Sequence, residues 1–508
     1  MFERLMTMVR RLGFERLDIR VAEFAGDAVP QHAQRVSKAL SRRPGLRVRP
    51  LDRSLGFRGS TDEGDALVTA ELVGRQWLQD EGGDVLIWGE VPPPGKSLLL
   101  RFISAVPAPP DRPGAVDAPS LLALPAGFDA EFAPIILATT LAALTPRSAT
   151  KARLRHTHLQ RAVASAGAAI ETLPKTLAPI ERGTIRARFA DAAAQLAAAQ
   201  GSPVMREIAV LSYAAAITGI SEADWPFVRA CVDKNRGLAL LMEGGSANRL
   251  KRLDDAVDAL RRALRVLRRE QYPIAWATAQ AGLGEALYRL EAEGGDAQLL
   301  RDAVAAHQAA LQVFDRRTDP QLWATVMHNL ARTAQVLGEE LKNPEVLQKA
   351  VDACRSVIEV HTREAAPQQW ASTQNDLGSA LFLLGRQTGD DATLAAAAEA
   401  FEHAREFYGE MGDQAAVAVA IVDRNLARVQ ALRERHANRP PNRQPTYELT
   451  LTHRDTVMGD GSAPNEARSD GRPQEPEPAA ASTQAGGAPP RPPRNAGGRA
   501  HKRRRGKP

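Results

Sequence analysis

The apolar positions of this chain follow two rhythms. Between Leu17 and Ala105, strand-like runs alternate with helix-like ones: Leu17 to Phe24, a helix from Gln31 to Arg43, Leu46 to Leu51, a helix from Asp65 to Asp80, then Val85 to Val91 and Ser97 to Ala105. This β-α-β-α-β-β order predicts a small α/β domain over residues 1–105, with helices packed on a sheet and the last two strands joined as a hairpin through Pro92-Pro93-Pro94-Gly95. From Phe132 to Arg435 the spacing changes to i, i+4, i+7, the signature of one buried helical stripe.

That second rhythm is itself repeated every 47 residues. Prolines fall at Pro179, Pro226, Pro273, Pro320 and Pro367, and alanines at Ala162, Ala209, Ala256, Ala303, Ala350 and Ala397, with no insertion. Each proline opens a first helix, where its missing N–H costs nothing. Trp276, Trp323 and Trp370 follow three residues later, and Leu283, Leu330 and Leu377 stand seven beyond each Trp. Trp and Leu at i and i+7 share a face, so both are expected in the core. The Gly or Ala after each Leu (Gly284, Ala331, Gly378) permits close approach of a neighbouring helix. The second helix carries Ala256/Leu260/Ala263, Ala303/His307/Ala310, Ala350/Cys354/Val357 and Ala397/Phe401/Ala404, with weaker copies at Ala162/Ala166/Ala169 and Ala209/Tyr213/Ala216. Repetition this regular predicts one helical unit stacked many times, a binding scaffold.

The remainder divides by composition. Residues 106–128, rich in Pro, Ala and Gly, read as a linker; 129–225 as degenerate helical repeats; 226–436 as the clear repeats with a terminal capping helix. Residues 437–508, dense in Pro, Gly, Ala and Arg, read as a disordered basic tail, although Tyr447 to Thr452 alternates like a short strand. The expected fold class is therefore multidomain: a small amino-terminal α/β domain, an all-α superhelical solenoid and a disordered tail.

Charge and cysteine count narrow the chemistry. The formal net charge is +6, but Arg491 to Pro508 hold eight Arg or Lys and no acid, and removing those eight takes the net to −2. The basic balance thus describes a tail that can hold nucleic acid or an anionic membrane weakly through charge alone, or simply remain solvated. Cys231 and Cys354, the only cysteines, are too far apart in the chain for a disulfide framework or a four-ligand zinc site, and a reducing cytoplasm fits them. Charged residues from Glu3 to Arg16 argue against a secretory signal, and Ala133 to Leu144 is too short to span a bilayer and reads as a buried helix. Gly95-Lys96-Ser97 ends like a phosphate-binding loop, but Glu90 stands where that motif needs Gly, and the prolines lack the N–H groups that cradle phosphate. His307 and His361 share columns with Leu260 and Phe401 and with Leu267 and Phe314, so both are expected in the core, as is Cys354, while Cys231 reads as a small first-helix residue. His156 and His158 have no third ligand nearby. No catalytic set, cofactor or metal site is assembled by these motifs, so no enzyme is expected.

Two resemblances follow from the residues quoted. The Leu-Gly of the first helix and the Ala-x3-Phe of the second resemble the tetratricopeptide repeat, with a unit of 47 residues here and the Trp one turn nearer the helix start. The stretch Gly83 to Val91, with Lys96 and Ser97 to Ile103, resembles the close of the amino-terminal domain of TolB-type proteins, which implies a non-enzymatic interaction module. The tetratricopeptide resemblance implies that first helices line a concave groove for a protein or peptide. Its aligned columns nominate Lys234, Asn235, His328, Asn329, Arg332, Asn375, Arg424, Asn425 and Arg428 as a polar, mildly basic surface. Asn can bond an extended peptide backbone, and Arg can hold a carboxylate. Leu238 and Glu285 interrupt the full carboxylate-gripping pattern of the family's chaperone-binding members. The leading expectation is a protein–protein adaptor. A sensor whose α/β module binds a ligand, and a nucleic-acid-associated protein acting through its tail, remain open.

Overall fold

The computed structural model describes residues 15–27, 31–41, 43–56, 63–109, 112–242 and 248–438. The tail from residue 439 and the first fourteen residues, with Tyr447 to Thr452 and most of the charged stretch from Glu3 to Arg16, lie outside the described residues.

The amino-terminal layer is a five-stranded mixed sheet in the order β2-β1-β3-β4-β5. Its strands are β1 (Leu17–Phe24), β2 (Leu46–Leu55), β3 (Val85–Glu90), β4 (Ser97–Ser104) and β5 (Leu122–Pro125). Strand β1 runs parallel to both β2 and β3, while β3–β4 and β4–β5 are antiparallel. Helices α1 (Gln31–Leu40) and α2 (Glu63–Asp80) provide the two crossovers. The Pro92 to Lys96 segment is the turn of the β3–β4 hairpin, as its prolines imply.

The strand alternation decides which face each side chain joins. Leu17, Ile19, Val21, Val85, Ile87, Leu100 and Phe102 share a core with α1 and with α3 (Ala133–Ala143). Ala22, Leu86, Trp88 and Ile103 point the other way, into a core with Leu67, Ala70 and Leu78 of α2. Helix α3 is the apolar segment that resembled a membrane span. It is buried on every side, and its hydroxyls Thr139 and Thr140 donate back to the carbonyls of Ile135 and Ile136. No helix among the described residues is long and apolar enough to cross a membrane.

Beyond α3 come α4 (Ala149–Glu171), α5 (Pro179–Gln200), α6 (Pro203–Ile217), α7 (Pro226–Leu240), α8 (Arg249–Val266), α9 (Pro273–Gly294), α10 (Ala297–Ala310), α11 (Pro320–Glu340), α12 (Pro344–Ile358), α13 (Pro367–Thr388), α14 (Asp391–Glu410) and α15 (Ala416–Ala437). Each periodic proline opens the first helix of a pair: α5, α7, α9, α11 and α13. Each second helix packs on its own first helix and on the next, and α15 covers the open side of α14. The second-helix stripes are sealed: from Ala209/Tyr213/Ala216 to Ala397/Phe401/Ala404, no member of the five stripes exceeds 1% exposure. His307, His361 and Cys354 are core residues, as their columns require, and Cys231 of the first helix α7 is fully buried as well. Four of the second helices are capped in register, by Ser202, Asp296, Asn343 and Asp390, whose side chains accept from backbone N–H groups.

The structure alters three of the expectations. The tryptophan column is graded: Trp370 is 9% exposed, whereas Trp276 and Trp323 are half-buried. Arg316 and Arg363 lie over Trp323 and Trp370 at 5.3 and 5.5 Å from the ring centroids, so the column lies at the edge of the core.

The α/β layer is also not a free-standing unit. One face of its sheet shares a core with α4, α5 and α6, and the other with Ala230 and Cys231 of α7 and Leu267 and Tyr272 after α8.

Finally, residues 112–125 are a fastened strap rather than an open linker. Leu121 and Leu122 are fully buried, and Leu122–Pro125 adds β5 to the sheet. Apolar residues interspersed among the prolines supply burial that the Pro/Gly composition concealed.

Candidate functional site

The strap explains where two of the nominated residues go. Gly114 has φ +68°, and a Cβ there would stand 2.3 Å from the Asp191 carbonyl oxygen, so the strap crosses α5 in direct backbone contact. Gln195 of α5 donates to the carbonyls of Gly114 (2.7 Å) and Ala142 (2.8 Å). Asn235 donates to the Ala115 carbonyl and to Asp191 Oδ1, both at 2.8 Å, and Lys234 pairs with Asp117. Lys234 and Asn235 are therefore fully buried beneath the strap and line no open groove. A first-helix column predicts which way a side chain points but not what later covers it.

Around them lies a buried polar cluster that sequence reasoning missed. Arg188 and Asp191 form an ion pair at 2.9 Å with both side chains at zero exposure, and Tyr213 donates to Asp191 Oδ1 at 2.6 Å. Burial raises the Asp191 carboxyl to about 6, against the pull of Arg188, Tyr213 and Asn235, and pushes the Cys231 thiol up to about 12. That thiol is thus neutral and enclosed, unsuited to nucleophilic work.

The other nominated residues form an accessible surface. On α11, His328 sits 2.7 Å from Asp376 of α13, linking adjacent first helices, and Asn375 donates weakly to Asp376 at 3.3 Å while its own Oδ1 has no partner. Arg332 places its guanidinium 5.0 Å from the Tyr288 ring centroid of α9. Asn329 and Thr325 border a cleft of about 230 Å³ whose floor is Leu238, Ala281, Gly282 and Val326. Arg424, Asn425 and Arg428 lie on α15, with both arginines exposed. The structure thus places His328, Asn329 and Arg332 on α11 and Asn375 on the adjoining α13, and Arg424, Asn425 and Arg428 on α15.

A second cleft of about 500 Å³ adjoins the first, lined by Leu240, Met242, Arg249, Arg252, Tyr288, Arg289 and Arg332. Arg289 bonds the Leu241 carbonyl and pairs with Glu285. A signal for Arg289 existed in the sequence: it stands in the column of Gln195, Met242, Val336 and Leu383, a charge among uncharged residues. Among the described residues no group of three or more His, Cys, Asp or Glu is placed to hold a metal ion.

Fold and surface together define a helical-repeat solenoid with a five-stranded α/β layer sealed onto its first units. No protein-family model matches the chain, and no curated protein matches it. Among solved structures it is similar to a circular tandem repeat protein with novel repeat topology and enhanced subunit contact surfaces, at 16% identity over 61% of this chain and 87% of that one, with a TM-score of 0.23. A superposition that loose adds nothing to the architecture just described.

Proposed function

We propose that this chain is a non-enzymatic protein-binding scaffold whose repeats are of the tetratricopeptide type and whose first helices α9, α11 and α13 receive an extended peptide. One observation carries the reading: polar side chains recur at 47-residue steps (Thr325/Ser372, His328/Asn375, Asn329/Asp376) along adjoining first helices, beside a cleft with an apolar floor. Asn329 and Asn375 offer amides to a peptide backbone, and the floor accepts an apolar side chain.

In the same proposal the amino-terminal layer is a TolB-type interaction module. The stretch that carries that resemblance, Gly83 to Val91, contains β3, which pairs with both β1 and β4. Two free, buried cysteines suit a cytoplasmic setting. The test is selection of binding peptides on the wild-type protein, followed by measurement of the same peptides on Asn329→Ala plus Asn375→Ala. A loss of at least tenfold in affinity at unchanged melting temperature supports the groove. Unchanged affinity overturns it.

A further inference from the structure

The 47-residue register allows each first helix to be compared with its sisters, and α9 departs from all of them at the groove. Two adjacent columns carry Ala187-Arg188 in α5, Lys234-Asn235 in α7, His328-Asn329 in α11 and Asn375-Asp376 in α13. In α9 they carry Ala281-Gly282, so only there is every long polar side chain removed. A second departure meets the first. Leu238 of α7 is the apolar member of a column that otherwise holds Asp191, Glu285, Arg332 and Ser379. The two lie in contact, since a Cβ at Gly282 would stand 2.6 Å from Leu238 Cδ2.

Leu238 takes up part of the space that Ala281 and Gly282 leave, and the cleft of about 230 Å³ remains beside it. Packing against Leu238 accounts for Gly282 but not for that open volume. An apolar cavity of about 150 Å³ already accepts benzene, so this socket has room for an aromatic or branched aliphatic side chain. Its charged groups are satisfied: Glu285 pairs with Arg289, which also bonds the Leu241 carbonyl. An acidic or basic side chain would give up hydration there without gaining a free partner. Thr325 and Asn329 of α11 stand at the edge, where hydrogen-bonding groups of a peptide backbone would pass.

The socket also has a fixed place in the row of first helices. On its α7 side the row is closed, because Lys234 and Asn235 lie beneath the strap and Pro113 of the strap borders the cleft. Towards the other end adjoining first helices touch, and His328 of α11 meets Asp376 of α13 at 2.7 Å. In α15 the tetrapeptide Asn425-Leu426-Ala427-Arg428 repeats Asn329-Leu330-Ala331-Arg332, with Val422 buried as Val326 is. Arg424 and Arg428 therefore continue the rows of His328 and Arg332. Both are exposed, and Arg424 bonds only the Ala420 carbonyl of its own helix. Three steps from α9 to α15, at roughly 10 Å between packed helices, make about 30 Å. An extended chain crosses that distance in about nine residues.

We propose that the partner is an extended peptide segment with one large apolar side chain seated in the socket between α7 and α9, and an acidic side chain about nine residues away on Arg424 and Arg428. The inference rests on the peptide-groove reading and adds which side chains the partner carries and where they sit. The apolar anchor lies at the strap end, because the strap blocks any continuation over α7.

The experiment is selection of a random dodecapeptide library on the full-length chain, run in parallel on wild type, on Ala281→Asn and on Arg424→Glu plus Arg428→Glu. Ala281→Asn copies Asn375 of the sister helix and so fills the socket with a residue its column accepts; melting temperature checks this. Wild-type sequences are expected to share Leu, Ile, Met or Phe at one position and Asp or Glu about nine positions away. The apolar position should vanish in the first variant and the acidic one in the second. A wild-type peptide should lose at least tenfold in affinity when its anchor becomes Ala, a change that leaves the protein untouched. Selected peptides with no shared apolar position, or with affinity unaltered by both the anchor change and Ala281→Asn, overturn the socket. If such peptides still depend on Asn329 and Asn375, the groove stands and the socket alone falls. If no peptide binds the wild type, both fall.

Discussion

Gly284 in α9 lies directly against the imidazole of His307 in α10, so close that a Cβ at Gly284 would stand 2.6 Å from the ring's Cε1. The same contact recurs one period earlier, between Gly237 and Leu260, and two periods later, between Gly378 and Phe401. The small column of the first helix and the large column of the second are thus one interlocked feature, and they set how closely each helical pair packs. Gly284→Ala should therefore destabilise the array by about 1–3 kcal/mol through overpacking, read as a lower denaturant midpoint at unchanged slope.

His307 is itself a costly occupant of its column. Neither ring nitrogen has a partner, and burial, aided by the charge of Arg332, pushes its pKa down to about 4. A histidine whose folded pKa is depressed contributes stability that is full above its unfolded value near 6.5 and is lost as pH falls from there through about 4. The loss at the acid end amounts to roughly 3 kcal/mol. His307→Leu, which copies Leu260, should raise stability at neutral pH and flatten the acid limb between about pH 6.5 and 4. An unaltered acid limb would place the titrating group elsewhere.

Asp191 has the opposite sign. Its folded pKa is raised to about 6, so its contribution is fully present below the unfolded value and is lost as pH rises through about 6. Even so, Asp191→Asn should be damaging, because an amide nitrogen would then face Arg188 Nε and leave a fully buried guanidinium uncompensated. The expected cost at neutral pH is about 3–5 kcal/mol, measured by chemical denaturation.

The tryptophan column gives a graded prediction. Trp370→Ala should cost about 3–5 kcal/mol, as expected for a buried aromatic, and Trp323→Ala distinctly less, because Trp323 is half-buried and one face is occupied by Arg316. Equal losses in thermal unfolding would show that the two sites are equally enclosed.

Much of the solenoid was legible because its determinants are local and repeated. A proline at a helix start, a small residue at every facing position and an i, i+4, i+7 stripe each specify one helix and one buried face, whatever surrounds them. The same columns placed His307, His361 and Cys354 in the core, and nominated His328, Asn329, Arg332 and Asn375, which the structure places on the adjoining helices α11 and α13. Lys234 and Asn235 failed for a non-local reason. Their columns are right, but the strap from Arg112 to Pro125 returns over α5 and α7, and no spacing within the helices encodes that return.

The sequence by itself determined the unit, its period and its buried faces, and also which residues break their columns, since periodicity is a property of neighbours along the chain. Only the tertiary structure decided that the presumed linker seals the α/β layer onto the first repeats. It alone showed that Arg188 and Asp191 meet in a closed interior. Those outcomes depend on burial and long-range contact between segments up to 120 residues apart, as with Ala115 and Asn235. Pairings at that separation are decided by which surfaces remain to be covered once the local elements have formed.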